Sequence, residues 1–362
     1  MLEGIRIVEV EGLGPGPFAA MMLADLGAEV IVVHRKDSPA PGAPQRSLID
    51  RGKKSIVLNL KDADDVVVLK QLIATADGLI EGFRPGVMER LGLGPHEFRE
   101  NHPRLVYGRL TGWGQAGPKA QDAGHDLNYI ALSGALWYAS QTQDPPFVPP
   151  TVVGDIGGGA MYLVAGMLAG LLRAQRSGKG TVVDAAIVDG SAHTMNLLMA
   201  AHSANLLQAD RGKGVLDGSP WSRCYSTLDG GWLSVQCLEP QFYEVFLQKL
   251  GVDGNDLFER SFEPVTWKEL AARFAGIIGG KTLDEWSEIF ADCDACVAPV
   301  LTPWQSASHA HLVARGTWTE VDGQLQARSA PRFDGKRPAD PGIAPARGEH
   351  TTEIMASIDI EV

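Results

Sequence analysis

Three ionisable residues stand in settings that suit proton transfer. His125 lies in Gly124-His125-Asp126-Leu127-Asn128-Tyr129, Asp155 in Val153-Gly154-Asp155-Ile156-Gly157-Gly158-Gly159, and Glu239 in Leu238-Glu239-Pro240-Gln241-Phe242-Tyr243. An imidazole and a carboxylate are bases of different type, and a second carboxylate can orient and tune the imidazole. Such a set can take a proton from one face of a carbon and return it to the other. Each residue also has a plain structural reading. A His at a helix start or an Asp ahead of a Gly-rich helix serves as a cap, and Glu-Pro commonly opens a helix.

The elements around these residues read as α/β. Residues 5–10 form an apolar first strand, 11–17 a Gly/Pro turn, 18–26 a short helix and 29–33 a buried second strand, a βαβ opening that predicts a parallel sheet. A helix over 62–75 and strands at 78–81, 105–110 and 182–187 continue the pattern, followed by a long apolar helix over about 190–207. From Trp221 the character changes. Asp229-Gly230-Gly231 signals a hairpin and helices follow at 241–250, 267–278 and 283–290. A second hairpin at Asp322-Gly323 and a Pro-rich stretch at 338–345 close the chain.

The turn Gly12-Leu13-Gly14-Pro15-Gly16 occupies the place of a dinucleotide loop, but its spacing is G-x-G-x-G and strand two ends in His34-Arg35-Lys36, without the acidic residue a nicotinamide ribose needs. Basic residues there suit a phosphorylated ribose. Arg51-Gly52-Lys53-Lys54, Arg84 and Arg90 read as further loop cations able to meet phosphates.

Bulk properties narrow the partners. At 362 residues two domains are expected. A net charge of −12 argues against nucleic acid, whose backbone demands a basic face. The N-terminus carries no basic n-region or cleavage site and the C-terminus no peroxisomal address, so a cytoplasmic protein is expected. The apolar run 156–172 is rich in Gly and Ala and reads as a buried helix, with no membrane partner. Cys293 and Cys296 form a C-x-x-C without a second ligand pair, so reduced thiols and no metal are expected.

Taken together, Gly14-Pro15-Gly16-Pro17, Asp50-Arg51-Gly52-Lys53-Lys54-Ser55, Glu81-Gly82-Phe83-Arg84-Pro85-Gly86, Thr111-Gly112-Trp113-Gly114 and the His125, Asp155 and Glu239 segments resemble the alpha-methylacyl-CoA racemases of the family III CoA-transferase superfamily, over about residues 2–335. The His125 and Glu239 segments are the racemase-like ones. The resemblance implies a Rossmann-like large domain with a parallel sheet, a small domain and two long connections; with the pattern of the chain this gives a large domain (1–190), a linker helix (191–220), a smaller α+β domain (221–314) and a return segment completing the large domain (315–362). It also implies an interlocked homodimer with shared active sites, in which His125 and Asp155 of one chain face Glu239 of the other. Arg35, Lys54, Arg84 and Arg90 become candidate contacts to coenzyme A, which belongs to the substrate; no separate cofactor is implied.

On that reading His125, tuned by Glu239, and Asp155 serve opposite faces of carbon 2 of a 2-methylacyl-CoA thioester, through an enolate whose oxygen meets the backbone amide of Asp126 at a helix start. Asp155 is by type too weak a base, and a helix N-terminus would weaken it further. Burial against the acyl group is expected to reverse that. The alternative is a CoA-transferase of the same fold with Asp155 as nucleophile. Two positions depart from the racemase pattern: Thr151 stands where Asn is common, and Ser219-Pro220-Trp221-Ser222-Arg223 where an Ala-Pro-aromatic-Tyr segment is common.

Overall fold

The computed structural model describes residues 1–36, 46–139, 144–338, 340 and 342–358. Two residues of the Pro-rich stretch and the last four of the chain lie outside that range. The chain divides into two compact units. The larger comprises Met1–Gly134, Pro149–Thr194 and Ala310–Val362, the smaller Ala135–Val148 and Met195–His309.

The larger unit is built on six parallel strands: β1 (Arg6–Val10), β2 (Glu29–Arg35), β3 (Lys53–Leu58), β4 (Gly78–Glu81), β5 (Val106–Thr111) and β6 (Thr181–Ala186). Their order is β3-β2-β1-β4-β5-β6, the doubly wound arrangement. Side chains alternate across each strand, so Ile7, Val30 and Val106 face one layer and Val8, Ile31 and Ile56 the other. The first layer is α1 (Pro15–Asp25) with α4 (Met161–Ser177); the second is α2 (Ala63–Ala74). The apolar run 156–172 thus falls largely in α4, where Leu163, Val164, Met167 and Leu171 are buried against the sheet. The helical stretch Val152–Ser177 is long and apolar enough to cross a bilayer by length and composition.

β3 corrects the reading of Lys53 and Lys54 as loop cations. Two leading lysines hide a strand whose neighbours are apolar. Their tails are satisfied in place: Lys53 Nζ lies 2.6 Å from Glu9 Oε2 and 3.2 Å from Asp50 Oδ1, in the interior. Arg51 is equally committed, donating to Asp25 at 2.6 Å and Gln326 at 2.8 Å.

The expected helix over 190–207 is two helices, α5 (Ile187–Thr194) and α6 (Asn196–Ser203). The two are separated at Met195, just after Thr194, whose hydroxyl donates to the Ser191 carbonyl at 2.7 Å. The two units meet in sequence at this break.

In the smaller unit β7 (Ser222–Ser226), β8 (Trp232–Gln236) and β9 (Val297–Pro299) form an antiparallel sheet, with the hairpin at Asp229–Gly231 as expected. Helices α7 (Pro240–Leu250), α8 (Trp267–Ile278) and α9 (Leu283–Ile289) enclose an aromatic core of Trp221, Tyr243, Phe246, Trp267, Phe274 and Trp286.

Candidate active site

In a doubly wound sheet ligands sit beyond the carboxyl ends of the strands, where the order reverses. Here that is between β1 and β4. The Gly12–Gly16 turn leaves β1 and Gly82-Phe83-Arg84 leaves β4. Gly14 has φ 66° and ψ −112°, open to glycine alone, and a Cβ there would stand 3.7 Å from Asp155 Oδ2. The turn therefore passes directly beside the candidate carboxylate.

His125 heads α3 (Asp126–Ser133) in extended conformation. Asn128 fixes that start: its Oδ1 accepts from the His125 amide at 3.1 Å, and its own amide donates to the His125 carbonyl at 2.8 Å. The imidazole is exposed. It lines a cleft of about 220 Å³ with Gly82, Arg84, Trp113, Gly124 and Tyr129. Tyr129 packs edge-on against Trp113 at 4.8 Å and donates its hydroxyl to the Gly124 carbonyl, holding the residue before His125.

Asp155 lies in a π-helical stretch, Val152–Ala160, that runs on into α4. Thr151 opens it at φ 60°, a left-handed backbone that suits Asn better than a β-branched residue. The Asp155 amide donates to Asp126 Oδ1 at 2.8 Å. Burial pushes the Asp155 carboxyl up to about 6, the Asp126 carboxylate pushes the same way, and His125 pulls it down. The helix-end weakening expected of Asp155 is thus outweighed by the protein's own packing and by a like charge, without an acyl group. His125 and Asp155 are close enough to feel each other electrostatically, although the cleft is lined by His125 and not by Asp155.

The structure gives Asp126 a role that its sequence position did not show. Its side chain is only 7% exposed and ties α3 to the π-helical stretch. Its amide, the expected enolate donor, has no protein acceptor among the described residues. The signal in the sequence was adjacency alone: an Asp next to the His, with a Gly before the second Asp.

Arg84 and Arg90 are exposed and form no ion pair among the described residues, and Arg84 reaches the cleft. Arg35 ends β2 at the carboxyl edge, mostly exposed, 3.6 Å from Glu11. Lys54 is placed elsewhere. It sits on an early rung of β3, toward the amino-terminal edge, between Glu29 at 2.9 Å and Glu353 at 2.7 Å. Arg35 and Arg84 stand at the opposite, carboxyl edge of the sheet.

Glu239 belongs to the smaller unit, at the head of α7. Its side chain is exposed and caps nothing, although it occupies the N-cap position. Nearby, Cys296 is raised by burial and by the Glu239 charge. Among the described residues no three His, Cys, Asp or Glu side chains gather as metal ligands, and all four cysteines are free.

Comparison with known proteins identifies the family and the fold. The chain is 39% identical to the alpha-methylacyl-CoA racemase of Mus musculus and 40% to that of Homo sapiens, in each case over 98% of this chain and 92% of the relative. A CAIB/BAIF family protein from Brucella suis shares the fold, with a TM-score of 0.85 at 23% identity over 99% of both chains. The CoA-transferase family III model matches residues 2–351. The chain belongs to CoA-transferase family III.

Proposed function

We propose that the protein is an isomerase that interconverts (2R)- and (2S)-2-methylacyl-CoA thioesters by 1,1-proton transfer through an enolate. The observation that carries this reading is the pair His125 and Asp155, in electrostatic contact within one unit, with the carboxyl raised to about 6. That brings the Asp155 carboxyl close to neutrality, so it can both take and give a proton there. The thioester carbonyl accepts the charge as carbon 2 loses its proton. The free amide of Asp126 at the start of α3 then supports the enolate oxygen. Arg84, Arg90 and Arg35 hold the phosphates, so the nucleotide end lies along the carboxyl edge of the sheet. The coenzyme A arrives with the substrate, and proton transfer asks for no other cofactor. Support for the substrate class comes from the two racemases and from the racemase-like His125 and Glu239 segments.

One enantiomer of a 2-methylacyl-CoA incubated in deuterated water tests the reaction. Deuterium at carbon 2 together with the opposite enantiomer is expected. Exchange of CoA onto a free acid, with hydroxylamine trapping of Asp155 and no deuterium at carbon 2, would instead identify a transferase.

Asp126→Asn separates the roles of the two carboxylates. Asn can still accept the Asp155 amide, but the neighbouring charge is gone, so the Asp155 carboxyl should titrate lower. Where Asp155 acts as base it must be ionised, and the rate falls as pH drops through about 6 in the parent. Where it acts as acid it must be protonated, and the rate falls as pH rises past the same value. Both limbs are expected to move to lower pH in the variant, measured as kcat against pH for each enantiomer.

We further propose a homodimer in which Glu239 of one chain serves His125 of the other. Co-expressed His125→Ala and Glu239→Ala chains should then regain one intact site per heterodimer, while either homodimer stays impaired. No recovery in the purified heterodimer would place both residues in one chain.

A further inference from the structure

A second concentration of positive charge lies away from the strands' carboxyl ends. Arg315 ends the helix Ala310–Arg315, and Arg328, Arg332 and Arg337 follow the hairpin of β10 (Trp318–Val321) and β11 (Gln324–Ala327). Arg332 and Arg337 both donate to the Arg315 carbonyl, Arg337 at 2.9 Å, so their guanidinium groups lie side by side. Arg337 also donates to the Ser329 carbonyl at 2.9 Å.

Capping a helix end accounts for these bonds, but not for the rest of the cluster. Among the described residues Asp340 is its one paired carboxylate, 3.2 Å from Arg328. Arg337 is held below the usual guanidinium range, first by burial and then by Arg332, Arg315 and Arg328. The Ser329 hydroxyl, in a residue only 3% exposed, has no partner among the described residues, nor do Nε of Arg328 and Nε of Arg337. Of the cluster Arg337 alone lines a cavity of about 410 Å³, together with Lys336, Asp340 and with Met1, Gly27 and Gly52, which precede β1, β2 and β3. The cavity therefore opens at the amino-terminal edge of the sheet. Its other carboxylates are already matched, Glu3 to the Met1 amine and Asp25 to Arg51.

We propose that Arg315, Arg328, Arg332, Arg337 and the Ser329 hydroxyl form a binding site for a phosphate-class dianion, separate from the site that takes the acyl-CoA. Four clustered guanidinium groups with unspent donors, in a chain of net charge −12, match the charge and the acceptor oxygens of a phosphoryl group. The source is a free phosphate or the phosphates of a nucleotide.

Calorimetric titration of the full-length protein at constant ionic strength tests this, with inorganic phosphate in one arm and adenosine 3′,5′-bisphosphate in the other. Saturable phosphate binding is expected, weakened about tenfold or more in Arg332→Gln and retained in Arg84→Gln. Arg332 is exposed, so its substitution spares the fold, and Arg337→Gln provides a second, more buried variant. Tighter binding of the bisphosphate, equally sensitive to Arg332→Gln, would identify a nucleotide; equal binding would identify the free ion. Turnover of the acyl-CoA by Arg332→Gln at saturation should match the parent. Phosphate binding no stronger than chloride, or lost in Arg84→Gln and kept in Arg332→Gln, overturns the proposal.

Discussion

Asp155→Asn should slow interconversion of the two 2-methylacyl-CoA enantiomers by about 10²- to 10⁴-fold, the span expected for loss of one positioned acid/base. His125→Ala should do the same. The two variants are expected to differ in what survives. Removing Asp155 leaves His125 able to exchange the proton of the enantiomer it faces, so deuterium still enters that enantiomer without inversion. Removing His125 leaves exchange in the other. Measuring isotope uptake and inversion separately for each enantiomer therefore assigns one residue to each face. Equal loss of exchange from both enantiomers in both variants would mean that the two groups do not act on opposite sides of one carbon.

Gly154→Ala should damage both the fold and the site, although it removes no ionisable group. A Cβ at that position would lie 2.5 Å from Asp126 Oδ1 and 2.8 Å from Ile130 Cγ2. Both neighbours belong to α3, and Asp126 and Ile130 are buried. Either α3 retreats or the π-helical stretch moves, and both break the bond from the Asp155 amide to Asp126. Overpacking of this kind costs about 1–3 kcal/mol. Turnover should fall at least tenfold as Asp155 leaves its place, since each 1.4 kcal/mol of lost transition-state stabilisation is a factor of ~10. Gly276→Ala is the matched control. It lies within α8, where an added Cβ would meet nothing within 4 Å, and should raise stability by up to about 1 kcal/mol. Urea denaturation and the isotope assay read both effects.

Much of the scaffold was legible because apolar alternation and turn residues act locally. Gly78–Glu81 and Trp267–Ile278 were delimited to the residue by their flanks, and Asp229–Gly231 and Asp322-Gly323 mark real hairpins. β3 was hidden because its first rungs are lysines whose partners lie 44 residues away in Glu9 and 25 away in Glu29. No local pattern carries that information. The break at Thr194 was hidden for a different reason. Residues 191–207 contain neither Pro nor Gly to mark it.

Residue types and their settings singled out His125, Asp155 and Glu239 as candidates, but not how the Asp155 carboxyl is tuned. Its raised affinity for protons depends on burial and on Asp126, 29 residues away in sequence and bonded to its amide. Lys54 shows the converse. A basic residue in a promising segment is consumed by Glu29 and Glu353 once the strand register is known.

The widened turn that carries Asp155 also stores its heading as a count of residues. In an ordinary helix each residue turns the chain by about 100°. Deleting a single residue between Val152 and Asp155 would rewind the stretch toward ordinary pitch and swing the carboxyl out of line by an angle of that order. Homologous chains that carry the same chemistry should accept insertions freely in neighbouring loops and reject even one here.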